Sequence, residues 1–141
     1  MTARLPALAL VVFCASTGCR QPERIVPGLT QQALMGLRVN MKAHELEAAL
    51  GRPLEVIPRH AEGAHGKLFR WTYAQQSCRG VARVGWCEGW SASATVHAGE
   101  VQTVVVYRDN KLVFSCDDPT CPKVHDRAAF AGLPRTAHTG S

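Results

Sequence analysis

The sequence lacks several features that would assign it at once to a large class of proteins. Its longest apolar run, residues 5–13, falls well short of the roughly twenty residues that a membrane-spanning helix needs. It contains no Gly-x-Ser-x-Gly elbow, no glycine-rich phosphate loop and no dinucleotide fingerprint. Its basic side chains are scattered rather than clustered. These absences argue against a spanning helix, the common nucleophilic and nucleotide-dependent enzymes, and nucleic-acid binding.

The first nineteen residues have the pattern of a secretory signal peptide. Arg4 precedes the apolar run, and small residues lead to Ser-Thr-Gly-Cys ending at Cys19. This ending resembles the lipobox of bacterial lipoproteins, which implies that residues 1–18 are removed and that the Cys19 thiol carries lipid. Arg20 follows where some bacteria place an inner-membrane aspartate signal, so the resemblance implies an outer-membrane lipoprotein facing the periplasm. The alternative is ordinary cleavage, which would give a secreted or periplasmic protein.

The remaining chain is the size of one small domain. Residues 19–141 carry fifteen Lys and Arg against eleven Asp and Glu, a net charge of +4. This mild positive balance suits a position near anionic lipid or cell-wall polymer, and it is equally ordinary for a solvated surface. We therefore expect a membrane contact through the lipid anchor and an envelope protein as partner, and no nucleic acid.

Four cysteines remain once Cys19 is assigned to lipid: Cys78, Cys87, Cys116 and Cys121. An even number in an exported chain predicts two disulfides. Four cysteines allow three connectivities, and the sequence cannot choose among them. The local pairs Cys78–Cys87 and Cys116–Cys121 are favoured because each closes a small polar loop, and Cys87–Cys116 is the rival if these residues lie on adjacent strands.

A metal site is disfavoured. His60 and His65 have no evident third ligand nearby, and only Cys116 and Cys121 have a spacing that suits zinc. The pair Asp117-Asp118 is interpreted as part of a tight turn, because calcium loops need more oxygen ligands in register. We therefore predict no metal and no cofactor.

Hydrophobic periodicity predicts helices first and strands afterwards. Thr30 can cap a first short helix, and residues 42–50 form the clearest helix, which Gly51 ends. Alternating patterns predict strands in the segments 68–73, 91–97, 101–108 and 111–116. The residues around this core are predicted to be a tether at 19–29 and a flexible tail at 122–141.

The second helix carries a family resemblance. Its pattern of an apolar residue, a gap, Met, Glu-apolar and Leu-Gly-x-Pro resembles small outer-membrane lipoproteins of the SmpA/OmlA (BamE-like) type. The matching positions are Met41, Glu45, Leu46, Leu50, Gly51 and Pro53. The resemblance implies a BamE-like α+β domain over residues 30–121, with two N-terminal helices packed on a small antiparallel sheet of three to four strands. Asn40 replaces the usual glycine and is expected to cap the helix, since Lys42 cannot.

The function that follows is a non-enzymatic one. Members of this family in the outer-membrane assembly machinery act as scaffolds, so we expect a lipid-anchored accessory factor that works through protein–protein contacts. The alternative is a secreted inhibitor or ligand-binding module that uses the sheet face and the 75–90 loop. Trp86 and Trp90 bracket Cys87 in that loop and form either a binding surface or part of the core.

Overall fold

A computed structural model describes residues 21–59, 68–79 and 86–137. Within these ranges the order of elements begins with a short strand and two helices and continues mainly as strands. The helices are α1 (Gln31–Met35), α2 (Ala43–Leu50) and α3 (Arg127–Phe130). The strands are β1 (Arg24–Ile25), β2 (Glu55–Arg59), β3 (Leu68–Gln75), β4 (Ser77–Arg79), β5 (Trp86–Glu88), β6 (Trp90–His97), β7 (Glu100–Arg108), β8 (Lys111–Cys116) and β9 (Lys123–Val124).

The described strands form one seven-stranded antiparallel sheet and one two-stranded hairpin. The large sheet has the order β1–β3–β6–β7–β8–β9, with β2 also paired to β3. The small sheet pairs β4 with β5. Because β4 follows β3 and β5 precedes β6, this hairpin continues the β3–β6 pair beyond the end of the large sheet.

Tight turns set the central hairpins. Ala98 and Gly99 have φ of 52° and 77° between β6 and β7, and Asp109 and Asn110 have φ of 49° and 66° between β7 and β8. Positive φ at both central residues is what a two-residue hairpin turn of the I′ type requires, and its twist matches that of the flanking strands. These turns set the pairing beside each turn, and the register then shifts between Thr95 and Val96 and between Val106 and Tyr107.

The helices cover one face of the sheet. Leu34 of α1, Leu46 and Leu50 of α2, and Phe130 of α3 are buried in a single core with the alternate residues of β6 and β7. The ring of Phe130 stacks on that of Phe114, with centroids 6.1 Å apart. The opposite face carries the other residues of each strand, and these are mostly Ser, Thr and Arg with a few apolar side chains. We call it the polar face.

The predicted fold class is wrong. The helices at Thr30 and Gly51 lie where the periodicity placed them, but the described chain is mostly β, with a seven-stranded sheet and three short helices. The prediction failed because β1, β2 and β9 are short edge strands whose sequences contain too few alternating residues to be recognised. Two helices on three or four strands therefore describe only the centre of the domain.

The expected tether and tail also differ from the structure. Val26 and Leu29 are buried in the core, and β1 pairs with the end of β3. At the other end, β9 adds a strand beside β8, and Asp126 caps α3 by accepting a hydrogen bond from the Ala129 backbone at 3.0 Å. Residues 24–29 and 123–133 therefore belong to the domain.

The start of α2 was predicted only in part. Asn40 does adopt a left-handed backbone, with φ of 69°, but Lys42 rather than Asn40 is the N-cap residue of the helix. The Lys42 backbone donates to the Glu45 carboxylate at 3.0 Å, so the side chain three residues on supplies the cap. Hydrogen bonds from Ala43 to Gly99 and from Asn40 to Val101 hold this entry against the β6–β7 turn.

Candidate functional site

The β4–β5 hairpin, residues 77–79 and 86–88, is the most distinctive feature outside the core, and we call it the arm. Cys78 lies directly opposite Cys87, with their Cα atoms 4.1 Å apart, and a disulfide joins them. The backbone N–H of Gln21 donates to the Cys78 carbonyl at 3.1 Å, so a third segment pairs with the arm. A cross-strand disulfide and this added bridge fix the two arm strands relative to each other.

The structure separates the two tryptophans that the sequence places together. Trp86 lies on the arm and is 58% exposed, whereas Trp90 begins β6 and is 5% exposed. The guanidinium of Arg108 lies 5.0 Å from the centre of the Trp90 ring, and Trp90 belongs to the core cluster. Of the two interpretations open for this pair, Trp90 has the surroundings of a core residue and Trp86 has those of a contact residue.

The base of the arm is held by Gly89, which lies between β5 and β6. Its N–H donates to the Asp109 carboxylate at 2.7 Å, and its carbonyl accepts from the Asp109 N–H at 2.9 Å. The Glu23 carboxylate accepts a short hydrogen bond from the Trp90 N–H. Gly89 has φ of 97°, a backbone conformation that favours glycine, and a Cβ there would displace the Glu23 carboxylate, so a substitution would strain this junction.

A polar cavity of about 560 Å³ lies beside this junction. Its charged lining residues are Glu23, Glu88, Arg108 and Asp109. The exposed ring of Trp86 is two residues from Glu88 on the same strand, so the arm presents an aromatic side chain next to charges of both signs. This arrangement suits recognition of a protein surface, in which an aromatic anchor is bordered by polar groups.

The second disulfide has a more local setting. It joins Cys116, at the end of β8, to Cys121, with Cα atoms 4.7 Å apart. Inside this loop the carboxylate of Asp118 accepts from Lys123 at 2.8 Å and from Thr120. The hydrogen bond from Lys123, followed by those from Thr120, lowers the pKa of Asp118 to about 2. The loop is therefore a turn closed by a disulfide and an ion pair.

Both disulfides in the structure, Cys78–Cys87 and Cys116–Cys121, are the local pairs that the sequence analysis favours.

One chemically suggestive pair was missed by sequence reasoning. Ser115 Oγ lies 2.7 Å from His125 Nε2, a distance that suits a nucleophile and its base. Ser115 is only 5% exposed and lies within the sheet on β8, which is a poor position for a nucleophile. The bond joins β8 to the segment before α3, and a structural role accounts for it. The two residues are ten apart in sequence, and no motif links them.

Several expected features lie outside the described residues, among them Cys19, the signal segment, His60 and His65. Within the ranges that are described, no three His, Cys, Asp or Glu side chains are placed to hold a metal ion together. None of the described helices is both long and apolar enough to span a bilayer.

No protein-family model, no curated protein and no solved structure matches the chain.

Proposed function

We propose that the chain is a non-enzymatic protein of the bacterial cell envelope, anchored by lipid on Cys19, that acts through protein–protein contact at the arm. The observation that carries the proposal is the exposure of Trp86, 58%, on a hairpin closed by a disulfide. Trp is enriched among the residues that dominate binding energy, because its large rigid surface is buried at small entropic cost. An exposed Trp on a fixed support is therefore a good binding anchor.

The disulfide favours binding because it reduces the flexibility of the binding surface. A loop that must be ordered on binding loses about 0.5–1.5 kcal/mol for each immobilised side chain. The Cys78–Cys87 bond and the Gln21 bridge order the arm before any partner arrives. The charged cavity at the base, with Arg108 and Asp109, then supplies polar contacts at the edge of the interface.

A role in outer-membrane assembly rests on the BamE-like motif of α2 alone. The sheet is larger than the three to four strands that the resemblance implied. The proposal of protein contact therefore depends on the arm, and assembly of outer-membrane proteins is the first process in which to look for the partner.

Photocrosslinking in intact cells tests the contact. A photoreactive amino acid at position 86 should give an adduct of defined mass with one envelope protein, identified by mass spectrometry. A matched control at Met35, which is 48% exposed on α1, should not give that adduct. A Trp86→Ala variant that binds the identified partner as well as the natural protein does would contradict the assignment of the arm.

Lipid attachment is tested separately. We expect palmitate labelling of the natural chain and its loss in Cys19→Ser, together with sensitivity of processing to globomycin. An unlabelled, soluble chain would instead favour the alternative, a secreted inhibitor or ligand-binding module that uses the sheet face and the 75–90 loop. The photocrosslinking experiment separates the envelope protein from a secreted inhibitor. An envelope protein should be crosslinked to another envelope protein, whereas an inhibitor should be crosslinked to a soluble enzyme.

A further inference from the structure

A second cavity lies on the polar face, away from the helices. It has a volume of about 230 Å³ and is lined by residues of three adjacent strands, together with Gln21, Gln76 and Cys78. Those that matter here are Glu55 of β2, Arg70 and Thr72 of β3, and Ser91 and Ser93 of β6. The volume is below the 300–1,000 Å³ typical of drug-sized ligands, so a ligand held here must be small.

Arg70 is the unusual member of this group. Its Nε is buried and has no hydrogen-bond partner in the part of the chain that the structure describes. Its neighbours across the two flanking strands are Ile57 and Thr95, neither of which carries a charge. Because this nitrogen is closed off from solvent, a ligand in the cavity can meet Arg70 only through the rest of its guanidinium, whose positive charge borders the cavity. A carboxylate matches the planar fork of arginine in two hydrogen bonds.

Glu55 supplies the opposite charge in the same cavity. It pairs with Thr72, two residues along β3 from Arg70, which places the two charged residues diagonally on adjacent strands. Diagonal neighbours lie about 7–8 Å apart, and no ion pair joins these two side chains. A small ligand can therefore sit between them and meet a cation at one end and an anion at the other.

We propose that this cavity binds a free α-amino acid as a zwitterion. The ligand carboxylate lies on the guanidinium of Arg70, and its ammonium group faces Glu55. Hydroxyl groups of Ser91 and Ser93 line the same space and can hydrogen-bond to either end. The inference does not depend on the lipid at Cys19 or on the contact made by the arm.

Binding of matched probes to the purified natural protein tests the charge pattern. Isothermal titration would compare alanine, serine and glutamate, as both enantiomers, with N-acetylalanine and alanine amide. At least one free amino acid should bind about tenfold or more tightly than either blocked form, because each blocked form loses one charge-assisted contact. Absence of binding by all the free amino acids would overturn the proposal. Equal binding of inorganic sulfate would also overturn it by indicating a simple anion site.

Variants then assign the two ends of the ligand. Arg70→Gln should lose binding of every probe that carries a carboxylate, and Glu55→Gln should bring the free amino acid to the level of N-acetylalanine. Arg59→Gln, on the same strand as Glu55 and exposed, is the control and should bind normally. If Arg70→Gln does not fold, Arg70→Lys is the substitute. It keeps the positive charge but loses the paired N–H donors of the guanidinium, so it should still weaken binding. Unchanged affinity in a folded Arg70 variant would contradict the assignment.

Discussion

Replacing the buried tryptophan at the base of the arm gives the sharpest test of the packing. Burying an aromatic side chain removes roughly 150–250 Å² from water, which at about 25 cal/mol per Å² stabilises the fold by about 4–6 kcal/mol. Trp90 is 5% exposed and also lies under Arg108. We therefore expect Trp90→Ala to lower the free energy of unfolding by about 3–5 kcal/mol, the usual range for such truncations. In thermal denaturation this corresponds to a fall in Tm of at least about 12 °C.

The matched control is the neighbouring tryptophan on the arm. Trp86 is 58% exposed, so Trp86→Ala should change the free energy of unfolding by less than about 1 kcal/mol. Both variants are compared with the natural chain by urea denaturation followed by circular dichroism. The reasoning is refuted if Trp90→Ala is nearly as stable as the natural chain, or if Trp86→Ala is the more damaging change.

Three further predictions concern the frame around the site. A Cβ at Gly28 would overlap the backbone oxygen of Leu50, so Gly28→Ala should cost about 1–3 kcal/mol in urea unfolding, whereas Gly36→Ala, with ordinary contacts, should be nearly neutral. Replacing both arm cysteines by serine should cost about 2–4 kcal/mol, and equal stability would show that the disulfide does not restrain the chain. The folded state lowers the pKa of Asp118 from 3.8 to about 2, so its ion pair stabilises the protein above pH 4 and is lost as the pH falls through about 2. NMR titration should show this pKa raised in Lys123→Met but still below 3.8, because the hydrogen bonds from Thr120 remain, and a value still near 2 would contradict the role of the lysine.

The helices and central hairpins could be predicted because local sequence determines them. Thr30 caps α1 by accepting from the Ala33 backbone at 3.1 Å, and Gly51 ends α2 with φ of 85°. The Ala98-Gly99 connection gives a tight hairpin by the same local logic. In each case the signal lies within a few neighbouring residues.

The outer strands could not be predicted because their pairing is not local. β2 contains Pro58, which has no N–H to donate and is tolerated because the strand lies at an edge of the sheet. β1 and β9 have only two residues each, too few for an alternating pattern. Phe130 of α3 stacks on Phe114 of β8, sixteen residues earlier in the chain, and no local pattern predicts that contact.

The candidate site was visible in the sequence only as a cysteine-flanked loop with two tryptophans. Their different burial depends on Gly89, which breaks the strand between them, so that Trp86 joins the arm and Trp90 joins the core. Alternation along β3 indicates that Arg70 lies on the face opposite Phe69 and Trp71. Which residues of β2 and β6 share that face with Arg70 becomes evident only from the register of the three strands.

The proposed function requires that the arm contact a protein partner through Trp86. The most direct measurement is photocrosslinking in living cells from position 86, with position 35 on α1 as the control. We expect one defined adduct from position 86 that is absent from position 35. No adduct from position 86, or the same adducts from both positions, would contradict it.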